Sequence, residues 1–389
     1  MNSRSAIESI LASAAGNHLL IGLAIAAVFS IVLAVFSIQR TRYLCLLSLI
    51  GCAVYHWEAF AGFLVVSGIS YGAVRWLGSV AIPSRRWRFA CLGLLLLIVV
   101  FTLGRILHWG QPIRVPGLVP LVLYSLDMWL ALRLVTLFWE VGSGVVAPPS
   151  FSHYLLWICL PLTLAGPLLR YSQFPTQFVT DRRIWKSAAC WIEILAGATK
   201  LIAGLLLAAA QPMLSTASGP GHIWSKAAIA LITGPFGFYF TYAGYYQLME
   251  VLGRPCGFKL PMSFNYPIGR ENISAFWANW NMTATNVFRD YLFYNRWGLR
   301  TYHMYFNVMV LFGLVGLWHA ANAYWVLWGL LHGILFCGFL LWRKYGSRFQ
   351  HVPLRGTPVS QAAARLFTYL CVCACWYLPS KILQKLAGL

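Results

Sequence analysis

Val308–Phe336 reads VMVLFGLVGLWHAANAYWVLWGLLHGILF. The run holds no Asp, Glu, Lys or Arg, yet it carries two histidines, His319 and His332. It lies inside a longer charge-free stretch, Thr301–Trp342. A bilayer core of roughly 30 Å takes about 20 apolar residues per helix, so this stretch is long enough for two spans.

The same signal recurs along the chain in Leu19–Ile38, Val141–Leu169, Leu201–Ser225 and Ala227–Met249, all free of charged side chains. Of the 389 residues, 60% are hydrophobic and 10% charged, and the mean hydropathy is +0.69. A soluble domain carries about a quarter charged residues, so that class is excluded. Unpaired backbone is not tolerated in hydrocarbon, and the runs lack the alternation of a barrel, which leaves helices. The expected fold is an all-α polytopic membrane protein, a single integral-membrane domain over residues 1–389 with its core at about 152–342. About ten spans are expected, near 19–38, 43–72 (divisible into two short segments around Glu58), 89–107, 117–139, 152–169, 190–211, 227–250, 302–318, 323–342 and 363–379. The first apolar run is longer than a signal-peptide core and precedes Arg40 and Arg42, so it reads as a retained helix.

The net charge is +20, from 29 basic and nine acidic residues. Clusters at Arg40/Arg42, Arg85/Arg86/Arg88, Arg182/Arg183/Lys186 and Arg343/Lys344/Arg348 read first as cytoplasmic loop charges. Attraction of an acidic carrier or an anionic polymer is the second reading. The clusters do not alternate cleanly with the spans, so some apolar pieces read as re-entrant. No nucleic-acid module is present in the sequence. Cys371, Cys373 and Cys375 alternate within an apolar helix and fan around it, the pattern of buried small hydrophobes and not of a metal site.

Ionisable residues inside membrane segments are expensive and mark sites. His319 lies 19 residues from the nearest flanking charge, Arg300. Thirteen residues on, His332 would sit about 140° away around one straight helix. Either the helix breaks near Ala320–Ala323 or only one histidine meets a cavity, and His319, beside Trp318 and small residues, is the one expected there. Upstream, FWANWNMTATNVFRDYLF (Phe276–Phe293) sets Asn279, Asn281, Thr283, Thr285, Asn286, Arg289 and Asp290 among aromatics. A half-buried segment lining a water-filled cavity and an interfacial helix with belt aromatics both fit this pattern. A neutral imidazole suits removal of a hydroxyl proton, and an amide suits polarising a carbonyl. Together they describe acyl transfer.

At these residues the chain resembles the membrane-bound O-acyltransferase (MBOAT) family, in its bacterial D-alanyl-transferring and alginate-acetylating branch. Leu164–Tyr171 (LAGPLLRY) is similar to an AGP-x-x-R segment, Gly244-Tyr245 to a tyrosine-rich helix, and Phe264–Pro267 (FNYP) to an FNxP turn. Phe276-Trp277, Trp280-Asn281 and Arg289–Tyr291 resemble an FW-x-x-WH…RDY block. Trp318-His319, Trp328-Gly329 and His332-Gly333 resemble a WHG…WG-x-x-HG block.

The resemblance implies re-entrant segments and a helix bundle around a central tunnel in the bacterial cytoplasmic (inner) membrane. In it a cytoplasmic thioester donor would meet the hydroxyl of a cell-envelope polymer or glycan at His319. His319 would be the general base and Asn281, standing where relatives carry histidine, would orient the donor carbonyl or the acceptor. Trp277, Trp280, Trp318, His332, Arg170, Asn265 and Tyr245 would contact substrate. No cofactor or metal is expected. The co-substrate would be the phosphopantetheine of an acyl carrier protein, which the chain length favours, or acyl-CoA. An extracytoplasmic protein is a further expected partner. Thr241 and Ala320 also depart from the family pattern. The polar string is expected to line the chamber, with an Arg289–Asp290 salt bridge pinning it. Polysaccharide O-acetylation, a proton-relaying transporter and an inactive homologue are the competing readings.

Overall fold

A computed structural model describes residues 14–38, 40–56, 60–107, 128–175, 178–180, 182–217, 223–293, 303–320, 322–346 and 357–386. The regular structure is helical, with no named strand among the described residues. The helices are α1 (Ala14–Phe36), α2 (Thr41–Tyr55), α3 (Phe60–Ser79), α4 (Pro83–Leu107), α5 (Met128–Gly142), α6 (Phe151–Ile158), α7 (Ala188–Ala217) and α8 (Ile223–Gly253). After them come α9 (Ile273–Trp277), α10 (Met282–Val287), a π-helical turn at Phe288–Phe293, α11 (Met304–His319), α12 (Ala323–Tyr345) and α13 (Pro358–Leu386).

Among the described residues, five segments are long and apolar enough to cross a membrane: Leu19–Phe36, Phe60–Ser79, Ala188–Ala210, Ala323–Tyr345 and Pro358–Leu386. α2 and α11 are apolar but shorter. The expected segment 43–72 is two helices, α2 and α3, and residues 57–59 between them lie outside the described residues. Of the expected span 117–139, residues 117–127 lie outside them too.

The contacts divide the chain into two compact units. The first comprises residues 14–198 and 245–262. Within it α4 packs on α5, α2 on α6 and α1 on α2. The expected span 152–169 is not one. α6 is eight residues long, about 12 Å, and the chain then leaves the helix at Cys159. Pro161 opens a short 3₁₀ turn, and Gly166 takes a left-handed φ of +86° with the Tyr246 hydroxyl where a Cβ would go. Irregular backbone at this depth needs internal partners. Buried Arg133 of α5 supplies one, donating to the Ile158 carbonyl at 2.9 Å and to Thr163 Oγ1 at 3.4 Å. The Trp157 indole donates to the Leu169 carbonyl at 2.9 Å, and the buried Glu140 carboxylate accepts from the Ser172 N–H at 3.0 Å.

The second unit comprises residues 199–244 and 263–386 of the described chain. Its centre is the antiparallel pair α11 and α12, against which α13 and α9 pack. Gly316 faces the Trp325 carbonyl and Gly329 faces the Phe312 carbonyl, each so close that a Cβ would overlap the opposing backbone. Small residues let membrane helices approach in this way. In the same unit Gly204 of α7 lies against the backbone of Thr241 in α8.

Candidate functional site

α11 ends at His319 and α12 begins at Ala323, one of the two alternatives the histidine spacing posed. Ala320 is extended, and the Asn322 side chain caps α12 by accepting the Trp325 N–H at 3.0 Å. Asn competes with the helix backbone for hydrogen bonds and favours such caps. His319 is therefore the last residue of α11, and His332 sits in the middle of α12.

The His319 ring is half-buried among tryptophans. It stacks on Trp325 with centroids 4.7 Å apart and planes 22° apart. Trp318 lies 4.7 Å away and Trp328 meets it edge-on at 5.3 Å. His332 is fully buried and packs edge-on against Trp277 at 5.1 Å and Trp328 at 4.6 Å.

Between Ser263 and Thr285 the chain is tied together by its own polar groups. Arg270 donates Nη2 to the Asn265 carbonyl at 2.6 Å and to Asn279 Oδ1 at 3.1 Å, and Nε to the Tyr266 carbonyl at 3.0 Å. The Asn265 N–H donates to the Asn279 carbonyl at 3.1 Å, and the Met282 N–H to the Ser263 carbonyl at 2.7 Å. Ser263 and Thr283 share a hydroxyl contact at 3.3 Å, and Asn279 Nδ2 donates to the Ala275 carbonyl at 2.8 Å. Asn281 follows in the left-handed region, φ +40° and ψ +52°, and starts α10. Thr285 Oγ1 donates back to the Trp280 carbonyl at 2.9 Å.

A cavity of about 780 Å³ lies in this unit. Trp277, Trp280, Asn281, Trp318 and His319 all line it. So do Met304, Val308, Leu311 and Val315, so it follows α11 from its first residue to its last, roughly 22 Å at 1.5 Å per residue. Arg343 and Lys344 from the last turn of α12, and Arg289 from the π-helical turn, add positive charge to the lining.

The polar string divides between two tasks. Asn281, Thr285 and Arg289 line the cavity. Asn279 and Thr283 do not. Their side chains are drawn into hydrogen bonds of the turn, Asn279 with Arg270 and the Ala275 carbonyl and Thr283 with Ser263. Arg289 and Asp290 are paired at 2.9 Å, with side chains 48% and 36% exposed.

His332 and Asn265 are not among the lining residues. Asn265 is exposed and contributes its backbone to the Arg270 knot. Arg170 and Tyr245 belong to the first unit: Arg170 half-buried at the head of a short 3₁₀ turn, Tyr245 fully buried 5.7 Å from the ring of Tyr246. Two features escaped sequence reasoning. One is Arg270, whose signal was its position as the basic residue between the FNYP turn and Phe276-Trp277. The other is the stack of Trp325 on His319, which nothing in linear spacing announces.

No family model matches the chain. Among curated proteins, it is 30% identical over 170 residues to a probable alginate O-acetylase of Pseudomonas aeruginosa, covering 42% of this chain and 32% of that one. It is 29% identical over 184 residues to the peptidoglycan O-acetyltransferase of Helicobacter pylori, covering 44% and 34%. It is 26% identical over 213 residues to the teichoic acid D-alanyltransferase of Bacillus subtilis, covering 49% and 52%. The matched regions thus span about a third to a half of these relatives. Over part of its length the chain is thus similar to proteins named as O-acetyltransferases and D-alanyltransferases, the group its motifs resemble. Its named relatives act on three different envelope polymers, through acetyl or D-alanyl transfer.

Proposed function

We propose that this protein is a membrane-embedded O-acyltransferase that moves a short acyl group, of acetyl or D-alanyl type, from a thioester donor to a hydroxyl of a cell-envelope polymer or glycan. The observation that carries the reading is that Asn281 and His319 line one cavity. In the proposed step the Asn281 carboxamide donates to the thioester carbonyl and holds it for attack. His319 accepts the proton of the attacking hydroxyl as its oxygen bonds to the acyl carbon. The tetrahedral oxyanion collapses, the carbon–sulfur bond breaks, and the imidazolium returns the proton to the departing thiolate. A neutral imidazole sandwiched by indoles is suited to that shuttle, since its ordinary pKa lies near neutrality.

The charge layout supports a phosphate-bearing donor. Arg343 and Lys344 lie one helix length from His319 along an apolar wall. Such a slot suits an elongated donor with an anionic head and a reactive tip, either a carrier-protein phosphopantetheine or acyl-CoA. The bacterial inner membrane is the proposed location, with the polymer acceptor approaching from the outer side, alone or through an extracytoplasmic partner.

The test is His319→Ala, with membrane-inserted protein quantified and ester-linked acyl groups on envelope polymers measured. Transfer is expected to vanish at normal protein level, and undiminished acylation would overturn the proposal. Asn281→Ala should lower the rate about 10²–10³-fold, the range for one oxyanion-type donor. A loss under tenfold in a single-turnover assay would remove Asn281 from that role.

A further inference from the structure

Three buried rings of the second unit carry side-chain nitrogens without hydrogen-bond partners. His332 is 0% exposed, and neither Nδ1 nor Nε2 has a hydrogen-bond partner. The indole Nε1 atoms of buried Trp277 and Trp328 are in the same condition. The three rings touch one another, with Trp277–His332, Trp328–His332 and Trp277–Trp328 centroids 5.1, 4.6 and 5.9 Å apart. Buried side-chain polar atoms in native proteins nearly always find a protein or ordered-water partner. A cluster of orphaned nitrogens in one place therefore calls for a ligand.

The chemistry of the cluster narrows that ligand. Two indoles offer only N–H donors, while a neutral imidazole offers one donor and one acceptor. The complement is a small group that accepts twice and donates at least once. Of the three rings only Trp277 also lines the cavity, so an extended substrate group is not what meets His332. We infer that His332, Trp277 and Trp328 enclose a binding site for an ordered water molecule. The water accepts from the two indoles and donates to the unprotonated imidazole nitrogen. Three such bonds are the usual complement of a buried water. Because Trp277 belongs to both the site and the cavity wall, the water couples His332 to that wall from behind.

The competing account is dry packing, with each indole N–H pointed at an aromatic face. Such contacts are weak but real, and the edge-on angles of 85° and 77° made by Trp277 would suit them. Two isolated variants, His332→Phe and His332→Gln, separate the accounts by the order of their thermal midpoints in detergent. With a bound water, Gln keeps a hydrogen-bonding group and melts above Phe, by about 2–4 °C. With dry packing, Phe removes orphaned nitrogens and melts above Gln, which overturns the inference. The deciding measurement where neither variant folds is an experimental map of the unaltered protein that resolves ordered water. A peak within hydrogen-bond reach of at least two of the three side chains supports the site; rings in contact with no peak overturn it.

Discussion

The pair α11 and α12 as far as Trp342 and the segment Leu156–Leu169 look alike as sequence, apolar and free of Asp, Glu, Lys and Arg. They fold in opposite ways. The pair forms two helices whose outer faces leave Phe306 67% and Trp342 59% exposed, as surfaces meant for lipid would be. Every residue from Leu156 to Leu169 is buried, and past Ile158 the backbone is mostly irregular. Apolar side chains thus serve two ends, facing lipid or filling protein, and hydropathy alone does not separate them. What separates them here is Pro161, Gly166 and Pro167 in the chain, together with a buried cationic donor, Arg133, supplied from α5.

Three substitutions press on that contrast. Gly316→Leu attacks the helical member, driving a side chain into the Trp325 carbonyl. Overpacking of this kind should cost about 3 kcal/mol or more, seen as loss of monodisperse protein in detergent. Arg133→Met attacks the irregular member by removing the donor to Ile158 and Thr163 while keeping apolar bulk. A cost of about 2 kcal/mol is expected, with new protease cleavage between residues 159 and 170. Cleavage unchanged from the parent would mean that proline and glycine shape the segment without the arginine. Asn322→Ala removes the cap of α12 and should cost about 1 kcal/mol in thermal or denaturant unfolding.

Much of the second unit was legible. The charge-free run predicted two helices, the spacing of His319 and His332 posed a break near Ala320–Ala323, and the break is there. The aromatic neighbourhood of Asn281 fitted a cavity lining and an interfacial helix alike, and both Asn281 and His319 line a cavity. What sequence could not supply were partners set by tertiary folding. Arg133 meets its acceptors 25 and 30 positions away, so the only local marks against a span at 152–169 are Pro161, Gly166 and Pro167. Asn279 and Thr283 resemble Asn281 in composition, but Arg270 and Ser263 claim them for the turn.

The left-handed backbone at Asn281 acts as a filter on what can occupy the position. Glycine enters freely and asparagine or aspartate with little strain, whereas most other side chains would meet about 1–2 kcal/mol of steric opposition. An asparagine here is thus favoured twice, once by the shape of the turn and once by the carboxamide it carries. Glycine substitution would relax the first requirement while erasing the second, making this one residue a place where architecture and reactivity can be pulled apart.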